Sequence, residues 1–386
     1  MNANLQQGQV FQTADGRLFT LAQFSNAATT QALRGLPVTQ PIRAAQSLQS
    51  LRTVPVTNGV RQGAVSSPTL FSVYINDLFN ILKQSGLGCK IQNCYFGCFG
   101  YADDLLLLSA SRSGLQAMVK IAEEFAKSRS LKFSTNPDPK KSKTKCLVFS
   151  KLARARQDIL PILLNGDPLP WVDTVKHLGN KLESDNSMKQ DIAMKKGIFI
   201  GKVNSLAQEF HFASSDVLMN ILNTYCTSFH GSGLWELSSK ESERLYKSWN
   251  VTMRITFSVP RTTHRYLIES ISGQLHLKVM LASRLIKFLE SLKTSSKLGV
   301  RFLAGISEND LRTVMRRNVA NIATETGTEA AALTPGLVKK NMKYFRVPDD
   351  QKWRVPLLGE LINENISIPG FSESELTDMK NYLCTS

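Results

Sequence analysis

Apolar residues fall along this chain in three patterns. Behind Pro68, Leu70, Phe71, Val73, Tyr74, Leu78, Ile81 and Leu82 recur at helical spacing, which predicts a core-facing helix. Ser66 or Ser67 can cap it, with Pro68 at the first helical position. Around Tyr101-Ala102-Asp103-Asp104 the apolar residues are instead continuous, Cys98-Phe99 before and Leu105-Leu106-Leu107-Leu108 after. Short apolar runs on either side of a turn read as buried strands, so this segment predicts a tight hairpin. Strand-like alternation follows from Trp171 to Leu182. Spacing of three and four then returns in Met188 to Phe210 and in Ser215 to Leu237, with Ser214 or Ser215 as the cap. Strands gathered in one part and helices in the next predict an α+β fold.

The first 57 residues have a different character. They contain no Lys, Cys or Glu and one acid, Asp15, while nine glutamines fall within the first fifty positions. Such a stretch buries little apolar surface. Val10-Phe11 and Leu18-Phe19-Thr20-Leu21 around Ala14-Asp15-Gly16 suit one short hairpin, which is marginal alone. Residues 1–57 are therefore expected to be a flexible, Gln-rich leader unrelated to the rest. Residues 58–185 form the strand-rich part and 186–303 a helical part. The remainder, 304–386, ends in a tail with seven acids against three bases from Pro348 onward.

Two adjacent carboxylates at a hairpin tip, Asp103 and Asp104, repel each other and raise each other's pKa unless a cation lies between them. Hard oxygen donors of this kind suit Mg²⁺. They are half of a site, because two ions about 3.5–4 Å apart need further carboxylates. Between Arg112 and Arg156 stand twelve Lys or Arg against three acids, and phosphates are the natural partner. Lys140, Lys141 and Lys143 follow two prolines that fix a turn. The chain as a whole has 47 basic and 31 acidic residues, a formal charge of +16, which favours polyanions whatever the fold.

Other chemistries are excluded. Cys89, Cys94 and Cys98 lie five and four apart, with no C-x-x-C pair, and the five histidines show no metal-binding spacing, so the thiols are expected to be interior side chains. No run of eighteen apolar residues and no secretory signal pattern appears. An intracellular protein, in nucleus or cytoplasm, is expected, with no membrane partner.

The hairpin has companions: Gly59-Val60-Arg61-Gln62-Gly63-Ala64-Val65-Ser66-Ser67-Pro68 upstream, Asn136-Pro137-Asp138-Pro139-Lys140-Lys141-Ser142-Lys143 downstream, and then His177-Leu178-Gly179. In this order the set resembles the palm of reverse transcriptases, most closely those of non-LTR (LINE-type) retrotransposons, from about Asn58 into the low 300s. The resemblance implies Mg²⁺- or Mn²⁺-dependent addition of deoxynucleoside triphosphates to a DNA primer on an RNA template. Asp103 is then the principal metal ligand, with Asp104 beside it. Arg61, Gln62, Gly63 and Tyr101 lie on the nucleotide and template side, and one of Lys140, Lys141 and Lys143 lies near the triphosphate. His177-Leu178-Gly179 is similar to a hairpin that grips the primer, and the helices after it to a thumb, with Arg254, Arg261, His264, Arg265, Lys278, Arg284 and Lys287 as a backbone-contacting surface.

The family's first catalytic strand, with its metal-binding aspartate, precedes the Arg-Gln-Gly segment. Here Asp15 is the only acid before Arg61 and lacks that strand pattern. The expectation is an N-terminally truncated fragment, weakly active or inactive alone. The alternatives are a non-enzymatic nucleic-acid-binding relic and a Gln-rich regulatory fusion in which the palm is a passenger.

Overall fold

The computed structural model describes residues 19–24, residues 65–342 apart from 137, 139, 151–158, 211, 258, 265–266 and 269–274, and residue 378. The chain divides into two compact units, 1–187 and 188–386. The first is built on a four-stranded antiparallel sheet of β1 (Phe19–Phe24), β4 (Cys98–Tyr101), β5 (Asp104–Ser109) and β6 (Lys145–Phe149), in the order β4-β5-β1-β6. Helices α1 (Ser67–Gln84) and α2 (Arg112–Ser128) pack with it, and six short strands form three two-stranded ribbons: β2 (Lys90–Ile91) with β3 (Cys94–Tyr95), β7 (Ile162–Leu164) with β8 (Asp167–Leu169), and β9 (Thr174–His177) with β10 (Asn180–Glu183).

The sheet order follows from β5. Its four leucines, Leu105 to Leu108, are all buried, so the strand needs neighbours on both edges and cover on both faces. Leu105 and Leu107 join one cluster with Leu78 and Leu82 of α1 and Leu115, Met118, Val119 and Ala122 of α2. Cys146 of β6 belongs to the same cluster. In the ladder Leu107 and Cys146 both lie opposite Ala22, which places these two cluster members in one register row. Gly100 permits the close fit of β4 on α1, since a Cβ there would lie 2.3 Å from Cζ of Phe79. Between the helices, Arg129 bonds Asp77 at 2.9 Å and lies over the rings of Tyr74 and Phe125.

Two expectations are corrected. The leader is not wholly separate from the sheet, because Phe19-Thr20-Leu21-Ala22-Gln23-Phe24 is its third strand in spatial order. Apolar, aromatic and β-branched residues suit a strand, but its partners lie more than eighty residues away, beyond the reach of local pairing rules. Val10 and Phe11, the expected local partner, lie outside the described residues. Helix α1 is only partly core-facing: Leu78 and Leu82 are buried, whereas Leu70, Val73 and Ile81 are 56, 69 and 44% exposed. Ser66 stands at its N-cap with helical backbone angles and makes no side-chain cap bond, since the capping geometry needs an extended residue there.

The second unit is helical: α3 (Lys189–Glu209), α4 (Ser215–Tyr225), α5 (Lys240–Thr256), α6 (Leu277–Lys293), α7 (Leu298–Asn309), α8 (Val314–Thr326) and α9 (Pro335–Asn341). The expected helix to Leu237 stops at Tyr225, and a single 3₁₀ turn, Ser232–Leu234, follows. Phe199 packs on Phe229 and Trp249, and Phe229 on Trp235. Buried Asp191 accepts hydrogen bonds from Lys195 Nζ and Trp235 Nε1, each at 2.8 Å. This pairing leaves neither charge uncompensated in the interior. Among the described residues no helix is long and apolar enough to cross a membrane.

Because Leu107 is fully buried in the sheet–helix cluster, Leu107→Ala should cost about 2–5 kcal/mol in denaturant unfolding. Val73→Ala, on the exposed side of α1, should stay within about 0.5 kcal/mol of the parent.

Candidate active site

The hairpin joins β4 to β5 through Ala102 and Asp103, with Tyr101 opposite Asp104. Ala102 takes φ +50°, a left-handed conformation that two-residue hairpin loops require and that costs a residue with a Cβ more than glycine. The flanking ladder holds it there. Asp103 and Asp104 are both half-buried and Tyr101 is 52% exposed. Burial, and then the neighbouring Asp103 charge, raise the pKa of Asp104 above the ordinary carboxylate value.

The register brings a second group to this end of the sheet. Strand β1 runs antiparallel to both β5 and β6, so Asp104 at the start of β5, Phe24 at the end of β1 and Lys145 at the start of β6 share one edge. The lysine loop leads straight into Lys145. Two strand spacings, about 10 Å, separate the start of β6 from that of β5.

Asp138 shapes the loop. Its backbone oxygen accepts from the amides of Lys141 and Ser142, and its Oδ1 from the amide of Lys140 at 2.9 Å. Lys140, Lys141 and Lys143 are exposed, and Lys141 Nζ stands 3.9 Å from Asp138 Oδ2 with its side chain 76% exposed. An exposed pair at that distance contributes little, so the ammonium is not committed to it.

The remaining expected residues divide. Arg61, Gln62 and Gly63 lie outside the described residues, as does Arg265. His177-Leu178-Gly179 forms the turn between β9 and β10, with φ +45° at Leu178 and +79° at Gly179. His177 is buried, which lowers its pKa and keeps the ring neutral at pH 7. In the helical unit, three expected backbone-contacting bases are engaged elsewhere. Arg254 donates to the carbonyls of Asn250 and Thr263, Arg284 to those of Thr227 and Ser228, and Lys278 pairs with Glu325 at 2.7 Å. Burial also lowers the pKa of Arg284. Arg261, His264 and Lys287 are exposed. Among the described residues, Cys89, Cys146 and Cys226 are buried and Cys94 and Cys98 half-buried, all five as free thiols; Cys384 lies outside them.

As a donor set for a pair of divalent ions the edge is incomplete. It offers the carboxylates of Asp103 and Asp104, while β1, the strand beside them, reads Phe-Thr-Leu-Ala-Gln-Phe and carries no acid. Among the described residues no group of three or more His, Cys, Asp or Glu side chains is placed to hold a metal ion. Two carboxylates on one turn fall short of a two-ion clamp. Gln23 and Lys145, neighbours in the ladder, were not among the expected site residues. The strand-forming composition around Gln23 was the available signal.

Residues 19–182 match the family model described as reverse transcriptase (RNA-dependent DNA polymerase). The match opens on the first residue of β1 and closes within β10. Residues 19–57, expected to be unrelated to the polymerase part, thus lie inside the matched region. No curated protein matches the chain.

The raised pKa of Asp104 sets a pH dependence. The folded state holds this proton more tightly than the unfolded chain, so the contribution of Asp104 to stability is fully present in acid and is lost as pH rises through the folded-state pKa. Asp104→Asn removes that penalty. The variant should melt above the parent at pH 7, with the gap closing as both are moved below pH 4; an equal gap at both pH values would contradict the assignment.

Proposed function

We propose that this chain is a nucleic-acid-binding reverse transcriptase domain of the non-LTR retrotransposon type that extends a primer only at background level. One observation carries the reading: the strand next to the Asp103–Asp104 hairpin is present, and none of its six residues is acidic. The family match begins at that strand, which supports taking it as the first catalytic strand with its carboxylate replaced.

In the family's reaction, Mg²⁺ or Mn²⁺ neutralises charge developing on the transferred phosphoryl group and on the oxygens that attack and leave. This chain's own residues can do the remaining work. Lys140, Lys141 and Lys143 present ammonium groups at the sheet edge to phosphates. Tyr101 offers a half-exposed ring beside Asp104, a stacking surface for a base or sugar. In the helical unit, Arg261 and Lys287 supply exposed positive charge, and His264 an exposed polar ring, for the phosphate backbone of an RNA template paired with a DNA primer. Without the third carboxylate, the part of the barrier lowered by electrostatic stabilisation stays high; single contributions of this kind are worth about 10²–10³ in rate. The alternative of a Gln-rich fusion carrying a passenger palm is disfavoured by the position of residues 19–24 within the sheet.

The test has two arms. Primer extension on an RNA template with Mg²⁺ or Mn²⁺ should not exceed that of Asp103→Ala, and template-dependent extension abolished by that substitution would contradict the reading. Primer–template duplex should bind with an affinity that falls steeply with salt, each neutralised phosphate contributing a log–log slope of about −0.9 on duplex DNA. Replacing Lys140, Lys141 and Lys143 together by Ala should weaken binding and flatten that slope. An unchanged slope would remove the lysine loop from the phosphate surface.

A further inference from the structure

The lysine loop is organised by one residue. Asp138 receives the backbone amides of three successive residues: Oδ1 accepts from Lys140 at 2.9 Å, and the carbonyl oxygen from Lys141 at 3.0 Å and Ser142 at 2.8 Å. The amide of Asp138 itself donates to Asn136 Oδ1 at 2.9 Å, so one Asx turn follows another. The far end of the loop is fixed from inside. Ser142 Oγ donates to the carbonyl of Thr144 and Thr144 Oγ1 to that of Ser134, each at 2.6 Å, and both residues are buried. With Ser142 and Thr144 turned inward, Lys140, Lys141 and Lys143 stand exposed on a closed loop.

The two carboxylate oxygens of Asp138 act on this surface in opposite senses. Oδ1 holds the Lys140 amide, and with it the backbone that presents neighbouring ammonium groups; a turn held in advance spares a ligand the ordering of those residues. Oδ2 lies 3.9 Å from Lys141 Nζ, which is otherwise open to solvent. The attraction within so exposed a pair is weak. The same charge repels a phosphate that binds the ammonium, because the two anions then lie within the screening length of about 8 Å at physiological salt.

We infer that Asp138 is a positioning residue that sets the phosphate affinity of the lysine loop by two separable actions. An uncharged oxygen in the place of Oδ1 suffices to hold the turn, and the carboxylate charge keeps phosphate binding weaker than the turn alone would allow. The ligand chemistry is that of phosphate oxygens, from a triphosphate or from a nucleic-acid backbone. The inference rests on the proposed reading of the loop as a phosphate surface.

Three substitutions in the full chain separate the two actions. Asp138→Asn keeps the acceptor and removes the charge, Asp138→Glu keeps the charge and carries the acceptor one carbon too far for an Asx turn, and Asp138→Ala removes both. Circular dichroism melts establish folding, and the probes are inorganic triphosphate and primer–template duplex, titrated at low and at physiological salt. Loss of the turn should weaken binding about twofold to tenfold, read as Asn against Ala and as native against Glu, the size expected when residues must be ordered on binding. Loss of the charge should strengthen binding about twofold to fivefold at low salt, read as Asn against native and as Ala against Glu, and this gain should shrink as salt rises. Exchange of the Lys140 amide should be slow in the native chain and in Asp138→Asn, and faster in the other two. A response confined to triphosphate assigns the loop to a nucleotide and one confined to duplex to the backbone; each supports the inference, as does a response with both. Equal affinity of Asp138→Asn and Asp138→Ala for both probes overturns it, and so does a native chain that binds as tightly as Asp138→Asn at low salt. That last comparison decides alone if a variant lacking the turn does not fold. Replacing Lys140, Lys141 and Lys143 together by Ala reads the underlying proposal: full affinity in that variant places the phosphate surface elsewhere and the inference falls with it, whereas lost affinity with indistinguishable Asp138 variants sinks the inference alone.

Discussion

The first unit depends on the ladder that β1 makes with β5 on one side and β6 on the other. Strand β5 is a continuous run of leucines buried on both faces, and such a strand is stable only with paired edges and covered faces. Strand β1 supplies the missing edge and joins β6 to the sheet. Without it, the backbone groups on one side of β5 would face no partner, at the cost of unsatisfied polar groups in a buried setting. The position of the lysine loop relative to the hairpin depends on the same ladder, because β6 reaches the hairpin's end of the sheet only through β1.

That geometry determines what the edge can and cannot do. It gathers a half-exposed tyrosine, two adjacent carboxylates and a loop of exposed lysines, all suited to phosphates and the groups around them. Strand β1, beside the hairpin, carries no acid. The raised pKa of Asp104 is the electrostatic sign of this arrangement: a carboxylate pair that is partly buried, with its like charges adjacent.

Much of this was legible in the sequence, and the exceptions have physical causes. The hairpin, the α+β division and the helix from Met188 to Phe210 follow from local periodicity, which records short-range order faithfully. Strand β1 was misjudged because its surroundings are rich in glutamine and poor in charge, while its pairing is long-range; composition reports the neighbourhood and says nothing about distant partners. The exposure of Leu70, Val73 and Ile81 shows the same limit, since helical spacing locates an apolar face without showing how wide a face the core covers. Arg254, Lys278 and Arg284 were read as surface charge, yet their side chains satisfy carbonyls and a carboxylate within the helical unit. A sequence shows where a cation lies along the chain, and the fold decides which of its possible partners it meets.

The central claim is that residues 19–24 are an interior strand of the sheet, and amide hydrogen exchange tests it most directly. Peptides covering Phe19–Phe24 should be protected to the same degree as those covering Asp104–Ser109, because the two strands share one ladder and open together. Exchange of 19–24 at the rate of an unstructured segment, with 104–109 still protected, would contradict the account.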